Sequence, residues 1–175
     1  EEFLKSLDMQ MHISILNSET LKRSTQLNNK TNQFNFMTTR LTESEMNKFI
    51  TDNKKIAYCV KLSDKFGDSG MISLIMLTKS SRLVNIDNWL MSCRVFKRGI
   101  EQALMNFLIK ELKMEGYEEL NSIYIPTNKN KFVENLFDEL GFQLLSSDDE
   151  GKKKYQLDLN QYKEKTHQIE VSFER

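Results

Sequence analysis

Three observations predict an α+β domain, a mixed and mostly antiparallel central sheet of six to seven strands with helices on both faces. Apolar and polar residues alternate with the period of a strand in several short stretches. A helical apolar stripe follows Gly99, and strand–strand passages mix with strand–helix–strand passages along the chain. Finally, 175 residues with 39% hydrophobic content, including 11 Phe, 9 Met and 5 Tyr, supply enough apolar area for one core.

The elements follow in order. Glu1 to Leu7 reads as the end of an amphipathic helix, with Phe3, Leu4 and Leu7 on one face. Met11 to Ile15 alternates like a half-buried strand, and Ser18 can cap a helix running through Leu21 and Leu27. Asn28 to Arg40 is polar, rich in Asn and Thr, and has no period, so a loop is expected, ordered if Phe34 and Phe36 anchor it. Thr42 and Glu45 form a capping box for a short helix ending near Asn53. Ile56, Tyr58, Val60 and Leu62 alternate, as do Ile72, Leu74 and Met76, and the turn-forming run from Asp64 to Gly70 makes them a hairpin. A strand from Leu83 to Cys93 leads to Gly99 and a long helix buried through Ile100, Leu104, Phe107, Leu108 and Leu112, which Gly116 ends. Leu120 to Ile125 is the next strand, stopped by Pro126. A helix from Lys131 to Leu140 follows, buried through Phe132, Leu136 and Phe137, then strands Phe142–Ser147 and Lys153–Leu159 joined by the Asp148–Gly151 turn. The sheet should splay where the strand ending at Cys93 meets Leu120 to Ile125. The segment after Asn160 is polar and carries no assignment.

Composition excludes several function classes. Twenty-five basic against 25 acidic residues give a formal charge of zero, without the global field of a nucleic-acid or anionic-membrane binder, so any anion site must be local. The longest apolar stretch, Met71 to Leu77, falls far short of the ~20 residues that span a bilayer, and the acidic start has no signal-peptide pattern. Cys59 and Cys93 sit in apolar runs without metal or redox spacing and read as free thiols of a reducing, cytoplasmic compartment. His12 and His167 are isolated, so no metal is expected.

Chemistry concentrates in one turn. Cys93, Arg94, Val95, Phe96, Lys97, Arg98, Gly99 and Ile100 place three cations and a glycine at a helix N-terminus, where free N–H groups and the helix dipole favour an anion such as a phosphate. The alternative reading is a strand-to-helix loop with solvated charges and a permissive glycine. Asn128 or Asn130 could bond the peptide-like groups of a ligand, or equally cap a helix. Asn32, Gln33, Asn35, Thr38 and Thr39 offer a dense set of amides and hydroxyls for contacts to a substrate, or for a loop that bonds to itself. Cys93 is the one catalytic candidate: a helix N-terminus with Arg94 and Arg98 favours a thiolate, but no base is placed beside it.

Element order and the basic turn resemble the GCN5-related acetyltransferase (GNAT) superfamily, whose Arg/Gln-x-x-Gly-x-Gly/Ala signature stands at this place. Read from Arg94, Lys97 replaces the first glycine; read from Phe96, Gly99 is kept and Glu101 replaces the small residue. A carboxylate there repels a diphosphate unless Lys97 or Arg98 pairs with it. The family's proton-donating tyrosine corresponds to Phe137, which has no proton to give.

The segment RSTQLNNKTNQFNFMTTR (23–40), the turn DKFGDSG (64–70), NWLMSCRVFKRGIEQALM (88–105) and PTNKN (126–130) together resemble the C-terminal acetyltransferase-like domain of FkbH-like proteins. That resemblance implies an upstream phosphatase-like domain of the haloacid dehalogenase (HAD) superfamily, subfamily IIIC type, whose last helix residues 1–9 resemble. It further implies an acyltransferase domain over 10–160 and a polar tail over 161–175. The implied function is transfer of a glyceryl-like acyl group involving the phosphopantetheine thiol of an acyl carrier protein, or coenzyme A. The alternatives are an acetyl-CoA-dependent N-acetyltransferase of a small amine and a non-catalytic module that docks the carrier protein.

Overall fold

All 175 residues are described by a computed structural model. Nine strands form one sheet: β1 (Met9–Ile15), β2 (Phe34–Asn35), β3 (Lys55–Asp64), β4 (Gly67–Ser80), β5 (Leu83–Met91), β6 (Glu119–Tyr124), β7 (Gln143–Ser147), β8 (Lys153–Asp158) and β9 (Ile169–Glu174). Eight run in the order β7-β8-β6-β5-β4-β3-β1-β9, and β2 pairs with β5 off that path. Pairing is antiparallel except for β5–β6 and β1–β9. The expected mixed, mostly antiparallel sheet with flanking helices is what the chain forms, with nine strands rather than six to seven because β2 and β9 lie in segments not expected as strands.

The helices are α1 (Glu2–Lys5), α2 (Leu21–Lys30), α3 (Glu43–Met46), α4 (Lys48–Thr51), α5 (Ile100–Met114) and α6 (Leu136–Glu139). Central strands carry apolar residues at both parities because both faces are covered. On β3, Tyr58, Val60 and Leu62 join α5 and α6 in the larger core, while Ala57 and Cys59 face the opposite way, into a smaller core with Leu27 of α2, Met46 of α3 and Phe49 of α4. The capping box at Thr42 and Glu45 is formed in both directions. A stretch of positive φ at Gly99 and again at Gly116 brackets α5.

Several boundaries differ from expectation. The hairpin turn is only Lys65-Phe66, because β3 runs on to Asp64 and β4 starts at Gly67. Asn17 rather than Ser18 organises the entry to α2, its Oδ1 accepting from the N–H groups of Glu19 and Thr20 at 2.9 and 3.1 Å. The Lys131–Leu140 helix is a 3-10 turn (Lys131–Val133) followed by the single-turn α6, and this rotates Val133 into the core at 1% exposure while Phe132 stays 51% exposed. The polar tail contains β9, which lies parallel to β1. At the other end, Leu7 is buried and its carbonyl accepts from the Lys65 N–H at 2.9 Å, tying the first residues to the hairpin tip.

The splay is present and sets up the site. Strands β5 and β6 pair only through Leu83–Asn85 and Glu119–Asn121, then diverge. The segment expected as a loop over 28–40, whose first three residues instead end α2, supplies what fills the gap. Phe34 and Asn35 pair with Met91 and Leu90, the Phe36 N–H donates to the Trp89 carbonyl at 3.3 Å, and the Ile125 N–H donates to the Phe36 carbonyl at 2.9 Å. Residues 34–36 are therefore bonded to both arms of the splay.

Candidate functional site

At the end of β5 the Ser92 hydroxyl accepts from the Arg94 N–H at 3.4 Å and starts a 3-10 turn, Cys93–Val95, whose Val95 is the buried anchor. The chain then passes through left-handed conformations at Lys97 (φ +61°) and Gly99 (φ +87°) before entering α5. This turn separates two recesses that share no lining residue.

The larger is an open groove of about 900 Å³ between α2, the Cys93 turn and the 126–130 turn. Cys93, Arg94, Phe96 and Asn128 line it, as do Asn32 and Gln33, so the candidates of both the anion turn and the polar segment meet there. Cys93 is exposed, whereas Cys59 is buried and its thiol is pushed above the usual range by burial. The structure adds three cations that sequence reasoning missed: Arg23 and Lys30 of α2, and Lys129. With Arg94 they make four positive charges in the groove wall, where no carboxylate stands. None of the four forms an ion pair within the chain. Arg94 is aimed by Ser92, whose Oγ accepts from Nε at 3.1 Å, and by the Ser69 carbonyl, which accepts from Nη2 at 3.3 Å.

The smaller recess, about 400 Å³, holds Lys97, Arg98 and Gly99 together with Glu1, Glu101 and His167. Arg98 is committed elsewhere, donating to Asp64 at 3.0 Å, and only 10% of the Asp64 side chain is exposed. Burial holds the Glu101 carboxyl above its ordinary range, its own backbone N–H and Gln102 opposing that shift. Val95 and Ile100 are core residues. A Cβ on Gly99 would meet the His167 Cβ at 3.5 Å, an ordinary contact, so the cost of Gly99→Ala comes from the left-handed backbone alone. A loss of about 1–2 kcal/mol is expected in urea denaturation; an unchanged midpoint would mean that the turn relaxes to an ordinary φ.

The remaining amides are engaged by the fold. Asn130 is fully buried: its Nδ2 donates to the carbonyls of Asn35 and Ile125, each at 2.9 Å, and its Oδ1 accepts from the Thr127 N–H at 2.7 Å and the Tyr124 hydroxyl at 3.3 Å. Asn35, also buried, donates to the Thr31 carbonyl at 3.1 Å and accepts from Asn88 at 2.9 Å and from the Thr38 N–H at 2.8 Å. The Thr39 carbonyl accepts from Asn28, and Arg40 donates to the carbonyls of Asn28 and Thr31 and to the Asn32 side chain. Phe137 is a core residue at 1% exposure, its ring 4.3 Å from Phe36. No group of three or more His, Cys, Asp and Glu residues is arranged to hold a metal ion.

No protein-family model matches the sequence, and no curated protein does. Solved structures do match. The ribosomal-protein-S18-alanine N-acetyltransferase of Escherichia coli superposes with a TM-score of 0.65 at 15% identity, over 90% of this chain and 99% of that one. Spermidine N-acetyltransferase of Vibrio cholerae, solved with CoA and spermine, gives 0.65 at 16% identity over 87% and 98%. A domain from Methanocaldococcus jannaschii gives 0.65 at 13% identity over 86% and 99%. The splayed mixed sheet, the turn that leads into α5 and these superpositions agree on one architecture: the chain has the fold of the GCN5-related N-acetyltransferases.

Proposed function

We propose that this domain is a GNAT-type acyltransferase that moves a glyceryl-like acyl group to or from a pantetheine thiol, with an acyl carrier protein as partner and coenzyme A as the alternative thiol source. The observation that carries this reading is the groove, which puts an exposed thiol, Cys93, among four unpaired cations and the amides of Asn32, Gln33 and Asn128. The cations suit the phosphate of a pantetheine arm, and the amides suit its peptide-like groups. In a thioester exchange the Cys93 thiolate would attack the acyl carbonyl, and the departing pantetheine thiolate would take up a proton. In this reading an upstream HAD-like domain supplies the acyl group, and the protein works in the cytoplasm, where Cys93 stays reduced.

Glu101 beside the α5 turn and the apolar Phe137 weigh against N-acetylation of an amine with acetyl-CoA. A docking module is the second reading. It is favoured by the absence of any histidine from the groove wall and by the filled splay.

Intact-mass analysis separates them. Holo carrier protein incubated with the domain and an acyl thioester should gain the acyl mass, and Cys93→Ser should abolish the gain. Binding of the carrier without any mass change would establish the docking module. Acetylation of spermidine from acetyl-CoA would establish the amine acetyltransferase.

A further inference from the structure

Diverging parallel strands leave rows of N–H and C=O groups unpaired, and an extended molecule with its own amides can add between them as a strand does. In this chain that place is taken. Residues 34–36 bond to β5 at Leu90 and Met91, accept from the Ile125 N–H beyond β6, and are clamped by the buried amides of Asn88 and Asn130. The side chains of Phe34, Asn35 and Phe36 are all buried, at 2%, 0% and 1% exposure, so withdrawing the segment would expose two phenylalanines and orphan a set of buried polar groups. Phe96 closes the same passage from outside. It stacks on Phe132 with centroids 4.5 Å apart and leans on Phe34 at 5.8 Å.

The recess at the α5 turn is poorly suited to a phosphate by comparison. Two carboxylates, Glu1 and Glu101, stand in its wall, Arg98 is held by Asp64, and the 166–168 segment lies over Gly99. The groove on the α2 side has the opposite character, four cations and no carboxylate.

We infer that a phosphate-bearing pantetheine arm lies outside the sheet, in the groove between α2 and the Cys93 turn, with its phosphate held by Arg23, Lys30, Arg94 and Lys129 because residues 34–36 of the chain itself fill the slot between β5 and β6. The acyl-transfer reading supplies only the identity of the arm; the anionic character of the ligand follows from the groove's own charge. The arm then runs past the Cys93 thiol rather than behind it.

Pantetheine 4′-phosphate and pantetheine without phosphate are the probes, titrated calorimetrically at low salt, with the rate of Cys93 alkylation by iodoacetamide as a second readout. The phosphate form should bind about tenfold or more tightly than pantetheine, and Arg94→Ala combined with Lys129→Ala should remove most of that preference. High salt should do the same. The bound arm should slow alkylation of Cys93, the exposed thiol of the two. CoA and holo carrier protein run in parallel: protection of Cys93 by either supports the groove, and the one that protects better is the source of the arm. The inference is overturned if the wild-type protein shows no phosphate preference and no protection. It is equally overturned if Lys97→Ala abolishes binding while the Arg94/Lys129 double variant binds normally, since the phosphate would then sit on the α5 turn. A groove that is protected in a protein that transfers no acyl group refutes the acyltransferase reading alone; acyl transfer with Cys93 unprotected refutes this inference alone.

Discussion

Phe36→Ala is expected to lower folding free energy by about 3–5 kcal/mol, the range for deleting a phenylalanine from a core that cannot collapse around the loss. The ring is 1% exposed and sits between other aromatic rings: Phe137 at 4.3 Å, Phe34 and Trp89 each at 5.7 Å, and Tyr124 at 6.5 Å. Rigid rings on every side have few rotamers with which to fill a cavity, so most of the transfer and cavity cost should be felt. A domain of this size holds only about 5–15 kcal/mol in total, which puts the variant near its unfolding threshold. Urea denaturation should show the midpoint falling with the slope unchanged. Phe36→Leu, which keeps most of the volume, should cost under about 1.5 kcal/mol. A loss below about 1 kcal/mol for the alanine variant would mean that residues 34–36 sit loosely in the splay, leaving the slot between β5 and β6 open to a ligand.

How legible the fold was follows from where its information lies. Strand β3 announces itself because Tyr58, Val60 and Leu62 keep one parity and one face, β4 by an unbroken apolar run, and α5 by its apolar stripe between two glycines; the expected alternation of Ile72, Leu74 and Met76 is not one face, since Ile72 joins the larger core and Leu74 and Met76 the smaller. The segment over 34–36 has no such local signature. Only two of its residues are assigned to a strand, and its conformation depends on Asn88 and Asn130, which lie far along the chain. What could be read was that Phe34 and Phe36 anchor the segment, and both are buried. Strand β9 did carry a signal, since Ile169, Val171 and Phe173 alternate with polar residues, but a charged setting masked it.

The site divides the same way. The basic turn with Cys93 beside it could be found from a strand, a glycine and a helix in succession, whereas the exposure of Cys93, placed by sequence in an apolar run, could not. Arg23 and Lys30 could not, because Arg23 reads as the solvated side of a helix and Lys30 as part of the loop over 28–40, whereas α2 runs on to Lys30. Only the packing of α2 against the sheet brings them to the same groove as Lys129.

Asn130→Asp tests the buried amide that clamps residues 34–36 in the splay. In the wild type, Nδ2 of Asn130 donates to two carbonyls, Asn35 and Ile125, at 2.9 Å each, inside a fully buried site. Aspartate puts an acceptor where that donor was, so two carbonyl oxygens face a carboxyl oxygen and lose their partner. Each orphaned buried group costs about 1–3 kcal/mol, and a buried charge costs more, giving an expected loss of about 3–5 kcal/mol near neutral pH. The carboxyl escapes part of this by holding its proton, which raises its folded-state pKa above the unfolded value of about 3.9. The sign of the pH dependence follows: the folded variant binds the proton more tightly than the unfolded chain, so its deficit relative to wild type should be smallest near pH 4 and grow as pH rises through the raised pKa. Urea denaturation of both proteins at about pH 4.5 and pH 8 measures that gap. A variant as stable as wild type at both values, yet unable to bind pantetheine 4′-phosphate, would make Asn130 a ligand contact and would remove the amide clamp on which the filled splay depends.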